Sequence, residues 1–137
     1  MIRGVCGIAG WGGQGNLTQL QAMISALHSR GPDESGFWQA SDASLGIARL
    51  SIIDVSEGHQ PVYSRDRSVV AVFNGEIYNH REIAQSLLSR GVKLQSNSDA
   101  EIIPHLYEIY GSDFVHHLRG MFAIALWDAN KSEMWLF

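Results

Sequence analysis

The alternation and clustering of hydrophobic positions along the chain predict short strands mixed with three or four short helices. The clearest strand covers residues 68–73, where β-branched side chains indicate burial on both faces. A strand pair is predicted from residues 37–40 and 45–50, and a C-terminal hairpin from residues 121–127 and 133–137. The chain shows no internal repeat and no low-complexity segment, so these elements predict one folding unit.

Two of the predicted helices begin at an asparagine. Asn16 can cap a helix that runs to about residue 28, with apolar side chains recurring on one face. Asn79 can cap a second helix over residues 80–90, and Gly91 is a suitable C-terminal stop.

The third predicted helix begins at a capping-box pattern. Ser98 and Glu101 have the required spacing, and the helix would run toward Tyr110. Pro104 falls inside this range, so the helix either begins later or is kinked. In this interpretation Asp99 lies in the first helical turn, where a carboxylate is favourable at the positive end of the helix dipole without binding any ligand.

The sequence has one cysteine, Cys6, within the apolar and glycine-rich residues 5–12. Small neighbours suit a strand that other groups approach closely, which is compatible with a nucleophile. A free cysteine is also among the most buried residue types, so an inert core thiol is the alternative. Both interpretations stay open at this point.

Two other stretches could contribute polar groups to a site. Arg49 lies beside an apolar run, where its guanidinium either extends toward solvent or meets an anion. Asn74, Gly75 and Glu76 directly follow the strand predicted for residues 68–73. Taken alone, the Asn-Gly dipeptide favours a hairpin turn at this position.

Composition and charge exclude several classes of protein. With 137 residues, 45% of them hydrophobic and 18% charged, the chain fits a single domain with one core. The net charge of -4 and the lack of a Lys/Arg run argue against nucleic acid or an anionic membrane as a partner. A single cysteine excludes an intrachain disulfide, and no signal-like segment opens the chain, so a cytoplasmic location is expected.

The six histidines do not have the spacing of a zinc site, and we expect no metal site. The histidines are His28, His59, His80, His105, His116 and His117. The sequence also lacks a glycine-rich phosphate loop, so nucleotide binding by this segment is not expected.

Seven motifs, in order, resemble successive signatures of the class II glutamine amidotransferase domain, in the form found at the N-terminus of glutamine-hydrolysing asparagine synthetases. They lie at residues 6–10, 30–36, 49–54, 58–61, 73–79, 98–101 and 118–128. The resemblance implies an α+β fold, the N-terminal-nucleophile αββα four-layer sandwich with mostly antiparallel sheets. The predicted order of strands and helices is compatible with it.

The resemblance also implies roles for individual residues in hydrolysing the side-chain amide of glutamine. Cys6 would supply the thiolate and, as the first residue of a processed chain, its own α-amine as the base. The side chain of Asn74 and the backbone N–H of Gly75 would donate to the oxyanion. Arg49 would bind the α-carboxylate of the substrate. Glu76 and Asp99 would receive the α-ammonium group.

The same resemblance predicts how the chain is organised. Residues 1–5 would be a leader or extra residues, and residues 6–137 an incomplete amidotransferase domain, truncated at its C-terminus because no polar terminator follows Phe137. The synthetase domain is absent from the sequence. The partners implied are glutamine and a synthetase domain in cis or in trans, and a homodimer stays open. No cofactor is expected in this domain, while ATP and Mg²⁺ would belong to the synthetase domain.

Two other function classes stay open. The first is an amidotransferase fold that has lost catalysis and acts as a binding or regulatory module. The second is an unrelated cysteine hydrolase, which would need a histidine within hydrogen-bond reach of Cys6 as its base.

Overall fold

Two antiparallel sheets form the centre of the fold. The computed structural model describes residues 6–50 and 59–137. In this part of the chain, the first sheet has the order β1-β3-β2 and the second the order β4-β5-β6-β7. The strands of the first sheet are β1 (Gly7–Gly12), β2 (Glu34–Gln39) and β3 (Ala43–Arg49). The strands of the second sheet are β4 (Val62–Tyr63), β5 (Val69–Ile77), β6 (Gly120–Asp128) and β7 (Glu133–Leu136).

The two sheets pack face to face through apolar side chains. Leu45 and Ile47 of β3 meet Val70 and Val72 of β5 and Trp127 of β6 in one buried cluster. Side chains alternate between the two faces of a strand, so the residues at intervening positions point to the outer faces. The interior between the sheets is therefore apolar along most of its length.

Helix α1 (Leu17–Ala26) covers the outer face of the first sheet. Its Leu20 and Ile24 are almost fully buried and pack with Ala48 of β3. These side chains recur at the spacing of one helical face. The Asn16 cap is confirmed, because the Gln19 amide donates to Asn16 Oδ1 at 2.8 Å.

Three further helical segments cover the outer face of the second sheet. They are α2 (His80–Ser89), α3 (Ile102–Tyr110) and a 3₁₀ helix (Gly111–His117). Leu87, Ile103 and Phe114 bury their side chains against this sheet. The helix, sheet, sheet, helix order confirms the αββα sandwich that the resemblance implied.

The capping role predicted for Asn79 is wrong. Its side chain makes no capping bond to α2. Instead, Asn79 Nδ2 donates to the His117 carbonyl at 3.0 Å and Asn79 Oδ1 accepts from the Arg119 amide at 2.9 Å. The side chain therefore ties the start of α2 to the segment that leads into β6. The predicted stop is confirmed, since Gly91 has a positive φ of 84° just beyond α2.

The capping box predicted at Ser98 is also wrong, and α3 begins later, at Ile102. Glu101 Oε1 accepts a hydrogen bond from the Gln95 amide at 3.0 Å, and not from the Ser98 amide as a capping box requires. Pro104 is then the third residue of the helix, where a missing N–H costs no intrahelical hydrogen bond. The later start, one of the two alternatives that Pro104 left open, is the correct one.

The hairpin turn favoured at Asn74 and Gly75 is not formed. Strand β5 runs through both residues to Ile77 and pairs with β6 over its whole length. Gly75 has a φ of 150°, and a Cβ there would lie 2.1 Å from the Met121 carbonyl oxygen. Only glycine fits this close approach of two backbones.

The motif at residues 30–36 contains Gly-Pro-Asp, which is typical of a loop, but β2 already begins at Glu34 and includes the last three residues of the motif. Gly36 allows the chain to pass close to Gln60, whose carbonyl oxygen would lie 1.9 Å from a Cβ at Gly36. The buried side chain of Gln60 binds both backbone groups of Phe73 in β5, at 2.7 and 3.0 Å. The predicted leader at residues 1–5 and the motif residues 51–58 lie outside the described residues.

Candidate functional site

Cys6 lies directly before β1, at the end of the first sheet. Its thiol is free and partly exposed, and it packs against the buried cluster between the sheets. Ile8, two residues further on, packs against the same cluster, as expected from the alternation of side chains. The thiol is therefore neither fully buried nor fully solvated.

Asn74 links the second sheet to Cys6. It follows Val70 and Val72 on the face of β5 that meets the first sheet. Its Nδ2 donates a hydrogen bond to the Cys6 carbonyl oxygen at 3.0 Å. A side-chain amide carries two N–H groups, so a second donor is present beside the one that holds Cys6.

Arg49 is the last residue of β3 and lies next to Cys6 by strand register. Gly7 pairs with Ala48, and one further step of this antiparallel register places Cys6 opposite Arg49. The guanidinium is buried, with the residue only 7% exposed. Of the two interpretations left open, the structure supports contact with an anion, because Arg49 Nη1 donates to Glu34 Oε2 at 2.7 Å.

Glu34 is a residue of this region that the sequence interpretation missed. It pairs with Arg49 in the register of β2 and β3. Its second carboxylate oxygen, Oε1, lies 2.7 Å from His59 Nδ1. Glu34 and Arg49 are fifteen positions apart, and no periodic pattern in the sequence connects them. The strand register alone brings them together.

Asp99 contacts the far end of β5. Its Oδ2 accepts a hydrogen bond from the Ile77 amide at 2.9 Å. Burial raises the pKa of Asp99, and the hydrogen bond from Ile77 and the nearby His80 oppose this only in part. Because α3 begins at Ile102, the interpretation that placed Asp99 in the first helical turn is wrong.

The predicted site residues are therefore connected to different extents. Cys6 and Asn74 are in direct contact, and Cys6 and Arg49 each adjoin the Gly7–Ala48 pair that ends the ladder of β1 and β3. Glu76 follows Asn74 on the same face of β5, two residues along. Asp99 is linked to this group through Ile77, three residues beyond Asn74 or about 10 Å along the strand.

A histidine that served as base would have to lie within hydrogen-bond reach of Cys6. Among the described residues, the histidine rings contact Glu34, the Ile77 carbonyl and Glu108, and none of these bonds involves Cys6. The described ranges contain no group of three or more His, Cys, Asp or Glu side chains that could hold a metal ion. In residues 6–50 and 59–137, no helix is both long and apolar enough to cross a membrane.

Comparison with known sequences finds relatives over most of the chain. The asparagine synthetase [glutamine-hydrolyzing] 2 of Oryza sativa subsp. japonica is 51% identical over 107 residues, covering 78% of this chain and 18% of that protein. The asparagine synthetase [glutamine-hydrolyzing] 2 of Bacillus subtilis strain 168 is 43% identical over 117 residues, covering 85% of this chain and 15% of that protein. The chain thus spans less than a fifth of the length of either relative.

Solved structures share the fold. Glutamine phosphoribosylpyrophosphate amidotransferase from B. subtilis, complexed with ADP and GMP, superposes with a TM-score of 0.70 at 19% identity. The superposition covers 93% of this chain and 35% of that one. The family model described as a glutamine amidotransferase domain matches residues 5–137. Since sequence relatives, family model and fold agree over nearly the whole chain, it belongs to the class II, N-terminal-nucleophile family of glutamine amidotransferase domains.

Proposed function

We propose that this domain is the glutaminase half of a glutamine-dependent amidotransferase, which hydrolyses the side-chain amide of L-glutamine. The observation that carries the proposal is the contact between Asn74 Nδ2 and the Cys6 carbonyl at 3.0 Å. It brings a free thiol and an amide donor together at the edge of the interior between the sheets. Arg49, whose side chain is buried, directly follows Ala48, the register partner of Gly7.

In the first half of the reaction, the Cys6 α-amine takes the thiol proton and the thiolate attacks the amide carbon of glutamine. A C–S bond forms, and the carbonyl electron pair moves onto oxygen. Asn74 Nδ2 and the Gly75 N–H donate to this oxyanion, a role worth about 3 kcal/mol for each donor. The C–N bond then breaks, and the nitrogen takes the proton from the α-amine and leaves as ammonia.

In the second half, water attacks the carbonyl carbon of the thioester. The α-amine takes a proton from this water, the C–S bond breaks, and glutamate leaves as the thiol is restored. A nitrogen in a Val5–Cys6 peptide bond cannot serve as this base, because its lone pair is delocalised into the amide. The mechanism therefore requires a chain that begins at Cys6.

Charged residues would hold the other end of the substrate. Arg49 would bind the α-carboxylate through a planar set of N–H donors. Glu76 and Asp99 would accept from the α-ammonium group. The positive charge of the substrate would favour the ionised form of Asp99, whose pKa burial raises in the free protein.

The names of the relatives support a wider assignment. They are glutamine-hydrolysing asparagine synthetases several times longer than this chain. In our proposal, ammonia passes in cis or in trans to a synthetase domain that uses ATP and Mg²⁺, while the amidotransferase domain needs no cofactor, and the reaction takes place in the cytoplasm. A silent binding module is the second candidate, but no contact of the described residues favours it over catalysis.

The test compares ammonia release from L-glutamine by two forms of the chain, one beginning at Met1 and one at Cys6, with each N-terminus verified by mass spectrometry. Base catalysis typically contributes about 10²–10⁴ in rate, so the Cys6 form is expected to be faster by a factor in that range. Cys6→Ala in each form measures the background. Equal rates from the two verified forms would show that Cys6 uses another base. If the chain bound glutamine but hydrolysed it no faster than the Cys6→Ala background, the silent binding module would be favoured.

A further inference from the structure

The Glu34 carboxylate is shared between a buried cation and an exposed imidazole. Oε2 accepts from Arg49 Nη1 and Oε1 lies against His59 Nδ1, both at 2.7 Å. The side chains of Arg49, Glu34 and His59 are 9%, 26% and 69% exposed, in that order. The carboxylate is thus held at both oxygens and lies between the protein interior and the solvent.

A guanidinium buried as deeply as that of Arg49 requires a negative partner, because removing its charge from water is unfavourable. The guanidinium group is planar and rigid, so fixing Nη1 also fixes the directions of its other N–H donors. Glu34 and Arg49 are paired residues of neighbouring strands, and the backbone ladder therefore fixes their separation. The contact between Glu34 and Arg49 therefore orients the guanidinium plane.

We infer that Glu34 is the positioning residue for the α-carboxylate end of the substrate. By holding Nη1, it sets the plane in which the remaining donors of Arg49 meet that carboxylate. This inference rests on the proposed glutaminase function and adds a residue to it. Glu34 touches no reacting atom. His59 steadies the second oxygen from the exposed side, so its removal has the same effect at smaller magnitude.

The experiment uses two substrates that differ only at the group Arg49 binds. L-Glutamine carries the α-carboxylate, and 4-aminobutanamide is the same molecule with that group replaced by hydrogen. Glu34→Gln keeps the size of the side chain and an acceptor oxygen but removes the charge. Arg49→Lys is the positive control. Glu108→Gln is the matched control, since Glu108 also contacts a histidine, His105, but on α3 in the outer helix layer.

In chains beginning at Cys6, Glu34→Gln is expected to raise the KM for L-glutamine about tenfold with little change in kcat, because a charge-supported contact is misaligned. Arg49→Lys should raise that KM at least as much. The KM and kcat for 4-aminobutanamide should be the same for Glu34→Gln as for the unsubstituted chain. Glu108→Gln should leave KM and kcat unchanged for both substrates. A substitution that only disturbed the structure would reduce the activity on both substrates equally.

An unchanged KM for L-glutamine in Glu34→Gln, or an equal loss on both substrates, would overturn the role of Glu34 while leaving the glutaminase assignment in place. Should the Cys6 chain prove inactive, calorimetric binding of L-glutamine to the Cys6→Ala chain replaces KM as the readout. Weaker binding after Glu34→Gln, with 4-aminobutanamide binding unchanged, would then support the inference. Failure of the Cys6→Ala chain to bind L-glutamine would overturn both proposals.

Discussion

Gly75 is a position in β5 where the backbone geometry excludes any side chain. Its φ is 150°, and a Cβ would lie 2.1 Å from the Met121 carbonyl oxygen and 2.6 Å from Phe122 Cα. Both atoms belong to the backbone of β6, so no side-chain rotation can relieve the contact. Gly75→Ala must therefore separate β5 from β6 locally or twist the strand at the residue whose N–H is proposed to bind the oxyanion.

The magnitude follows from three opposing contributions. A non-glycine residue in a strained backbone region costs about 1–3 kcal/mol, and a forced close contact typically costs about 1–3 kcal/mol more. Alanine also reduces the conformational freedom of the unfolded chain, which offsets about 0.4–1 kcal/mol. The free energy of unfolding should therefore fall by about 1–6 kcal/mol, compared with the roughly 5–15 kcal/mol typical of a domain.

Urea unfolding followed by circular dichroism measures this change, and two other glycines separate its causes. At Gly91 the φ is 84° but no atom lies within 4 Å of a Cβ, so Gly91→Ala isolates the backbone strain. Gly12 has neither restriction, and Gly12→Ala should be neutral or slightly stabilising. The expected order of stability is Gly12→Ala, then Gly91→Ala, then Gly75→Ala. If Gly75→Ala were as stable as Gly12→Ala, the described pairing of β5 with β6 would be wrong.

Two further predictions concern one partly buried and one buried carboxylate. Burial raises the folded-state pKa of Asp99 above its ordinary value of 3.8. The protonated Asp99 side chain therefore stabilises the fold below pH 3.8, and this stabilisation is lost as the pH rises through the folded-state pKa. In Asp99→Asn the free energy of unfolding should no longer show this loss with rising pH. If it varied with pH identically in the two chains, the raised pKa of Asp99 would be contradicted. Asp128, 4% exposed, accepts from the Tyr107 hydroxyl and from the Asn130 amide. Asp128→Ala should lower the free energy of unfolding by about 2–4 kcal/mol, whereas the exposed Glu133→Ala should change it little, and equal effects would refute the buried network.

The elements that the sequence predicted well depend on local signals. Asn16 caps α1 and Gly91 follows the end of α2, because capping chemistry acts within one turn of the chain. The strand over residues 68–73 was identified from its composition, but its continuation through Asn74 and Gly75 was not. That continuation depends on β6, which supplies a pairing partner as far as Gly120.

The candidate site was predicted in part because its residues match a family pattern, while their connections depend on tertiary structure. Nothing local in the sequence indicates that Asn74 reaches the Cys6 carbonyl across 68 positions. The partnership of Glu34 with Arg49 follows from the register of β2 on β3, which only the folded sheet defines. The contact of Asp99 with Ile77 could not be predicted from local sequence either, because it joins a loop to the end of a strand.

Cys6 adjoins the first sheet and Asn74 belongs to the second, so the distance between them depends on how one sheet is stacked on the other. The separation of stacked sheets, about 10 Å, is set by the side chains between them, here Leu45, Val72 and Trp127 among others. A small shear of one sheet over the other would preserve every hydrogen bond within each sheet and still move Asn74 relative to Cys6 by the full displacement. Core residues that never meet a ligand can therefore tune turnover, through the alignment of the two layers.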